Sequence, residues 1–110
     1  MSSPQKDKGD RAEREISELL TALTGYQVRR KLGAGRKDDE GDLEGIPNVT
    51  VQVAAWKDTL AAVRQKPVEA EQQRINAGNP LVVTLVKLNR AGWRAVLTPE
   101  QLAAWIGRLR

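Results

Sequence analysis

Residues 48–58 read NVTVQVAAWKD. Val49, Val51 and Val53 alternate with Thr50, Gln52 and Ala54. One face is apolar and the other carries a hydroxyl, an amide and a bare methyl. Alternation with period two predicts a half-buried β-strand over 49–55. Downstream, 58–78 is helical in composition, and Pro67 is expected near the first turn of a helix that reaches about Ala77. GlyAsnPro at 78–80 is a stop, and 80–88 is the most apolar run in the chain, the pattern of a central buried strand. NRAG, 89–92, predicts a hairpin turn into a strand from Trp93 to Leu97. Thr98, Pro99 and Gln101 then form a capping box with proline at the first helical position, which predicts a last helix to the C-terminus.

Upstream the pattern is shorter-ranged. Ala12, Ile16, Leu19, Leu20 and Leu23 make a helical stripe from Asp10 to about Thr24, which Gly25 ends. Residues 1–8 read as a loosely held arm. A short strand is expected at 26–30, a mobile glycine-rich loop at 31–41, and a second short strand at Asp42 and Leu43 before the turn around IPN. The expected order is helix, three strands, helix, two strands, helix. That defines a single α/β domain over 9–110, with a central mixed sheet of about five strands flanked by helices.

The chain has 110 residues, a net charge of +4, no cysteine and no histidine. This length supports one modest core. No apolar run approaches a membrane span and no secretory signal is present, so the expectation is a cytoplasmic protein with no membrane partner. Lack of cysteine fits a reducing compartment and excludes disulfides and thiolate metal sites. Without histidine, the usual general base and the common zinc sites are also missing. Any metal must bind to oxygen, which points to Mg2+ or Mn2+. Excess positive charge suits an anionic partner such as nucleic acid, and suits equally a surface that merely resists association.

Taken singly, the candidate residues are unremarkable. Glu13 sits at the edge of the helical stripe and reads as a solvated charge. Asp42, in EGDLEG, is as much a turn aspartate as a ligand. Gln52 on a valine strand most often faces solvent. The set is more informative. KGDRAERE at 8–15, VRRKLGAGRKDDEGDL at 28–43, VQVAAWK at 51–57 and GWRAV at 92–96 together resemble the archaeal-type Holliday junction resolvases of the PD-(D/E)XK nuclease superfamily. The helix start is the most specific piece, followed by the late Gly-Trp-Arg strand. The resemblance covers nearly the whole chain.

The resemblance implies a restriction-endonuclease-like fold and metal-dependent hydrolysis of four-way DNA junctions by a homodimer. By position it makes Glu13, Asp42, Gln52 and the Val53 carbonyl a metal site. Relatives carry glutamate where Gln52 stands, so one charge is lost and metal affinity should fall. They carry a catalytic lysine where Ala54 stands, which implies impaired turnover. A loop serine of the relatives corresponds to Ala34. Lys57 points to the opposite face of an unbroken strand, and a bulge would be needed to bring it round. Ala54 then marks either a non-catalytic DNA-binding relative or a lysine exchanged for alanine, and the retained motifs favour the second. A restriction- or repair-type duplex nuclease is a further reading of the same fold. Arg29, Arg30, Lys31, Arg36, Lys37, Lys57 and Arg64 are the expected phosphate contacts. Trp93 and the stripe Leu102, Trp105, Ile106 and Leu109 are expected in the core.

Overall fold

The computed structural model describes residues 4–31 and 39–110. The elements follow the expected order: α1 (Pro4–Thr24), β1 (Arg29–Arg30), β2 (Leu43–Glu44), β3 (Val49–Ala54), α2 (Thr59–Ala77), β4 (Leu81–Leu88), β5 (Gly92–Val96) and α3 (Pro99–Gly107). The five strands form one sheet in sequence order. β1, β2 and β3 run antiparallel as a meander, β3 and β4 are parallel, and β5 returns antiparallel to β4. The α/β class and the mixed five-strand sheet are as the sequence predicts.

β3 has both faces covered, which departs from the half-buried expectation. On one face Val51 joins Ile16 of α1, Val28, Leu43 and Leu85 in the larger core cluster. On the other, Ala54 packs with Ala62 of α2 and with Val86. α1 and α2 therefore lie on opposite sides of the sheet. The polar face of β3 is the more deeply buried one, because the parallel crossover to β4 lays α2 over it. Thr50 has its own partner there, accepting the Asn79 side-chain N–H at 2.9 Å.

The short strands and the last helix shift by a few residues from the sequence reading, β1 spanning Arg29–Arg30 rather than 26–30, and the starts of the two long helices differ most. α1 begins at Pro4, so residues 4–8 of the expected arm are helical. α2 begins at Thr59, where Asp58 caps it by accepting the Ala61 N–H at 3.0 Å, and Pro67 lies in the helix interior. The aspartate cap satisfies a backbone donor at once and outweighs the proline signal. Pro67 is buried, and its carbonyl accepts the Gln101 side-chain N–H at 2.9 Å, which joins α2 to α3. The capping box at Thr98 is present as predicted.

The α3 stripe is not core as expected. Trp105 is partly buried and donates to the Val82 carbonyl at 3.0 Å, but Leu102, Ile106 and Leu109 are largely exposed. α3 lies against β4, where Trp105 is held, and these three members of its stripe face outward. Trp93 packs against the larger cluster, and its ring N–H reaches Glu15 at 3.4 Å.

Candidate active site

Gly41 leads the chain into β2 with φ of 105°. A Cβ there would lie 2.9 Å from Thr50 Cγ2 and 3.1 Å from the Val51 carbonyl. Only glycine allows this approach to β3. Asp42 comes next, and its N–H donates to the Val51 carbonyl at 2.9 Å, although Leu43 is the residue paired with Val51. Two residues on the β2 side thus face one on β3, a bulge-like irregularity that re-aims the side chain. The Asp42 carboxylate accepts the Val53 N–H at 2.7 Å. Burial pushes its pKa from the ordinary 3.8 up to about 6. The Val53 bond opposes that rise, the charges of Glu13 and Asp39 add to it, and the charge of Lys66 opposes it.

Glu13 follows the buried Ala12 on α1, which sets it at the margin of the helix–sheet contact. It accepts from Arg30 Nε at 3.2 Å, while Arg30 Nη2 holds Asp10 at 2.9 Å. Burial raises the Glu13 pKa above the ordinary 4.5, against the Arg30 hydrogen bond and charge. The charge of Glu13, on a helix far away in sequence, thus reaches Asp42 at the edge of the sheet.

Gln52 is 2% exposed, and its amide oxygen accepts from the Thr84 hydroxyl at 3.3 Å. It lines a cavity of about 260 Å3 between β3 and α2, together with Asp39, Lys66 and Gln73. Val53 meets Asp42 through its N–H, and its carbonyl lies in the strand paired with β4. Ala54, where the resemblance places a lysine, faces the apolar contact with Ala62 and Val86.

The sequence reading missed Lys66, Asp39 and Gln73. Lys66 Nζ stands 5.0 Å from the centre of the Trp56 ring and 3.2 Å from Glu69. Asp39 accepts from the Gln73 side chain at 2.7 Å and from the Gly41 N–H at 3.0 Å. Its own carbonyl accepts from Asn76 at 2.9 Å, so both ends of the residue are tied to α2 or to the turn. A usable signal existed: Ala62, Lys66, Ala70 and Gln73 recur at helical spacing, which puts the lysine on the stripe that faces the sheet.

The expected phosphate contacts divide into three groups. Arg30 is committed to Asp10 and Glu13, Arg29 lies 3.6 Å from Glu44, and Lys31 lies 3.8 Å from Glu40. Lys57 and Arg64 are exposed. Arg36 and Lys37, with Ala34, lie outside the described residues. Lys57 lines an open concavity of about 660 Å3 with Lys8, Gly9, Trp56 and Asp58, beyond the end of β3. That position gives it no place in the cavity beside Gln52.

No family model matches this chain, and no curated protein or solved structure shows a significant match. The fit of a metal therefore rests on the donors themselves. Asp42 and Glu13 are both disfavoured as ions by burial and, for Asp42, by its neighbour's charge; a divalent cation would relieve both penalties. Their oxygens suit Mg2+ or Mn2+. Among the described residues no three acids are placed together to hold a metal ion, and Gln52, its amide oxygen accepting from Thr84, lies in the cavity beside α2.

Proposed function

We propose that this protein is a structure-selective DNA endonuclease of the junction-resolvase type, acting on four-way junctions as a homodimer. The observation that carries the reading is the Asp42–Glu13 pair. Two half-buried carboxylates, from the edge of an antiparallel meander and from the first helix, are held close enough for one to raise the other's pKa. The helix–three strands–helix–strand order, with β3 and β4 parallel, supports the fold that the resemblance implies.

In this reading Asp42, Glu13 and the Gln52 amide would hold Mg2+ or Mn2+. A divalent cation there would polarise the phosphate and lower the pKa of an attacking water. The chain's own residues set the geometry. Arg30 fixes the Glu13 carboxylate, the Val53 N–H fixes Asp42, and Gly41 lets the turn lie close to β3. Lys8, Lys57 and Arg64 would neutralise DNA phosphates outside the acid pair, which makes binding salt-dependent. The exposed Leu102, Ile106 and Leu109 offer an apolar face that a two-fold partner would cover.

A second reading is a DNA-binding module without catalysis. Its support is the buried, apolar setting of Ala54 and the neutral Gln52, already engaged with Thr84. Affinity for a labelled four-way junction and for linear duplex is to be compared at one salt concentration, together with cleavage in Mg2+ or Mn2+. Junction preference with cleavage that Asp42→Asn abolishes supports the nuclease. Junction preference without cleavage supports the module. Equal affinity for both DNAs counts against either.

A further inference from the structure

The acid pair lacks a nearby cation from β3, because position 54 is alanine. The cavity beside Gln52 supplies one from another element. Lys66 enters it from α2, with a side chain about one-fifth exposed, at 22%. Its charge reaches Asp42, where it favours the ionised carboxylate. Among the described residues, Arg30 is engaged by Asp10 and Glu13, and Lys31 by Glu40. Among the described residues Lys66 forms an ion pair with the more exposed Glu69, one turn along its own helix, a contact of the kind worth little in solvent. The Trp56 ring then limits where its ammonium can go.

A second feature points to the same cavity. Gln73 is 5% exposed and lines it, and its amide oxygen has no hydrogen-bond partner among the described residues. A buried acceptor left unpaired costs free energy unless a donor reaches it. Water or an ammonium is such a donor, and both belong beside a phosphate that is to be hydrolysed.

We propose that Lys66 is the catalytic ammonium of this site, delivered from α2 in place of the strand lysine. The proposal rests on the nuclease reading above. In the step it serves, a water oxygen bonds to phosphorus and the bond from phosphorus to the 3′ oxygen breaks. One proton of that water passes through solvent to the 3′ oxygen, leaving a 5′-phosphate and a 3′-hydroxyl. Lys66 keeps its proton and offsets the negative charge that builds on the phosphoryl oxygens.

The chain has no cysteine, so Lys66→Cys introduces a unique thiol. Alkylation with 2-bromoethylamine rebuilds an ammonium with as many side-chain atoms as lysine, sulfur standing in place of the γ-methylene, and iodoacetamide caps the same thiol with a neutral amide. Junction cleavage in Mg2+, junction affinity by gel shift and melting temperature are read on all three forms and on the unaltered chain. Loss of a preorganised charge donor predicts cleavage reduced by about 100-fold or more in Lys66→Cys. Aminoethylation should restore most of it and iodoacetamide none, with melting temperatures close across the three forms and junction affinity changed by no more than a few-fold. Equal activity in the ammonium and amide forms would overturn the assignment of Lys66 while leaving the nuclease intact. Junction binding without cleavage by the unaltered chain would also overturn it, and would favour the binding module. Loss of junction preference would overturn the functional reading itself.

Discussion

Asp42 accepts the Val53 N–H at 2.7 Å, yet its pKa lies at about 6. A bond that favours the carboxylate is outweighed by burial. The folded pKa is above the unfolded value of 3.8, so the native state binds this proton more tightly. Stability contributed by that proton is present below pH 4 and is lost as pH rises through 6. Above that the ionised, buried carboxylate costs up to about 3 kcal/mol. Asp42→Asn should therefore melt higher than the wild type at pH 7.5 without metal, with the difference closing by pH 4. Calorimetric melting across this range checks it. An Asn variant less stable at pH 7.5 would contradict the assigned cost, and the same substitution should abolish cleavage.

Arg30, one of the expected phosphate contacts, bridges Asp10 and Glu13. Arg30→Ala should lower the urea stability by about 1–2 kcal/mol at pH 7, because two acids lose their shared cation. At pH 4 the loss should shrink, since an unpaired carboxyl there takes up a proton. A loss of equal size at both pH values would place the contribution of Arg30 in packing rather than in charge.

Lys8 and Lys57 line the concavity beyond β3. If each touches a DNA phosphate, removing either should weaken junction binding and reduce the slope of log K against log salt by about 0.9. Titrations at several salt concentrations measure this slope. Unchanged slopes for Lys8→Ala and Lys57→Ala would move the DNA surface elsewhere.

Gly41 and Gly25 both have positive φ, at 105° and 81°, but differ in their surroundings. A Cβ at Gly41 meets β3, and one at Gly25 meets nothing within 4 Å. Gly25→Ala should cost about 1 kcal/mol of backbone strain. Gly41→Ala adds a steric clash and should cost about 2 kcal/mol or more. Denaturant midpoints for the two variants separate strain from contact. Equal losses would mean that the β2 turn yields to the added methyl.

The strand 49–55 was legible because alternation over six residues has few competing explanations. The capping box at Thr98 was legible because its hydrogen bonds are local. Pro67 misled, since a proline signal is strong and the Asp58 cap that overrides it is a single polar residue among several. The burial of Gln52 was not legible either. It follows from α2 landing on that face, a tertiary event that a period-two pattern cannot encode. Within the site, neither Asp42 nor Glu13 stood out singly; the set of motifs pointed to both, and in the structure the charge of Glu13 reaches Asp42. Lys66 hid among alanines. Small residues make a faint stripe, so nothing in the pattern marked the lysine on it as facing the sheet.

The parallel pairing of β3 with β4 also has a consequence in time. The meander β1–β2–β3 is built from contacts near in sequence, and with α1 it gathers both acids. The β3–β4 pairing, Val49 with Leu81, closes a loop about as long as the one that brings Glu13 toward Asp42. Neither part of the site is favoured by a shorter loop, so the acids and Lys66 should be gathered in one cooperative step. A chain that ends before β4 would then lack the parallel partner of β3 and, with it, the platform on which all three groups meet.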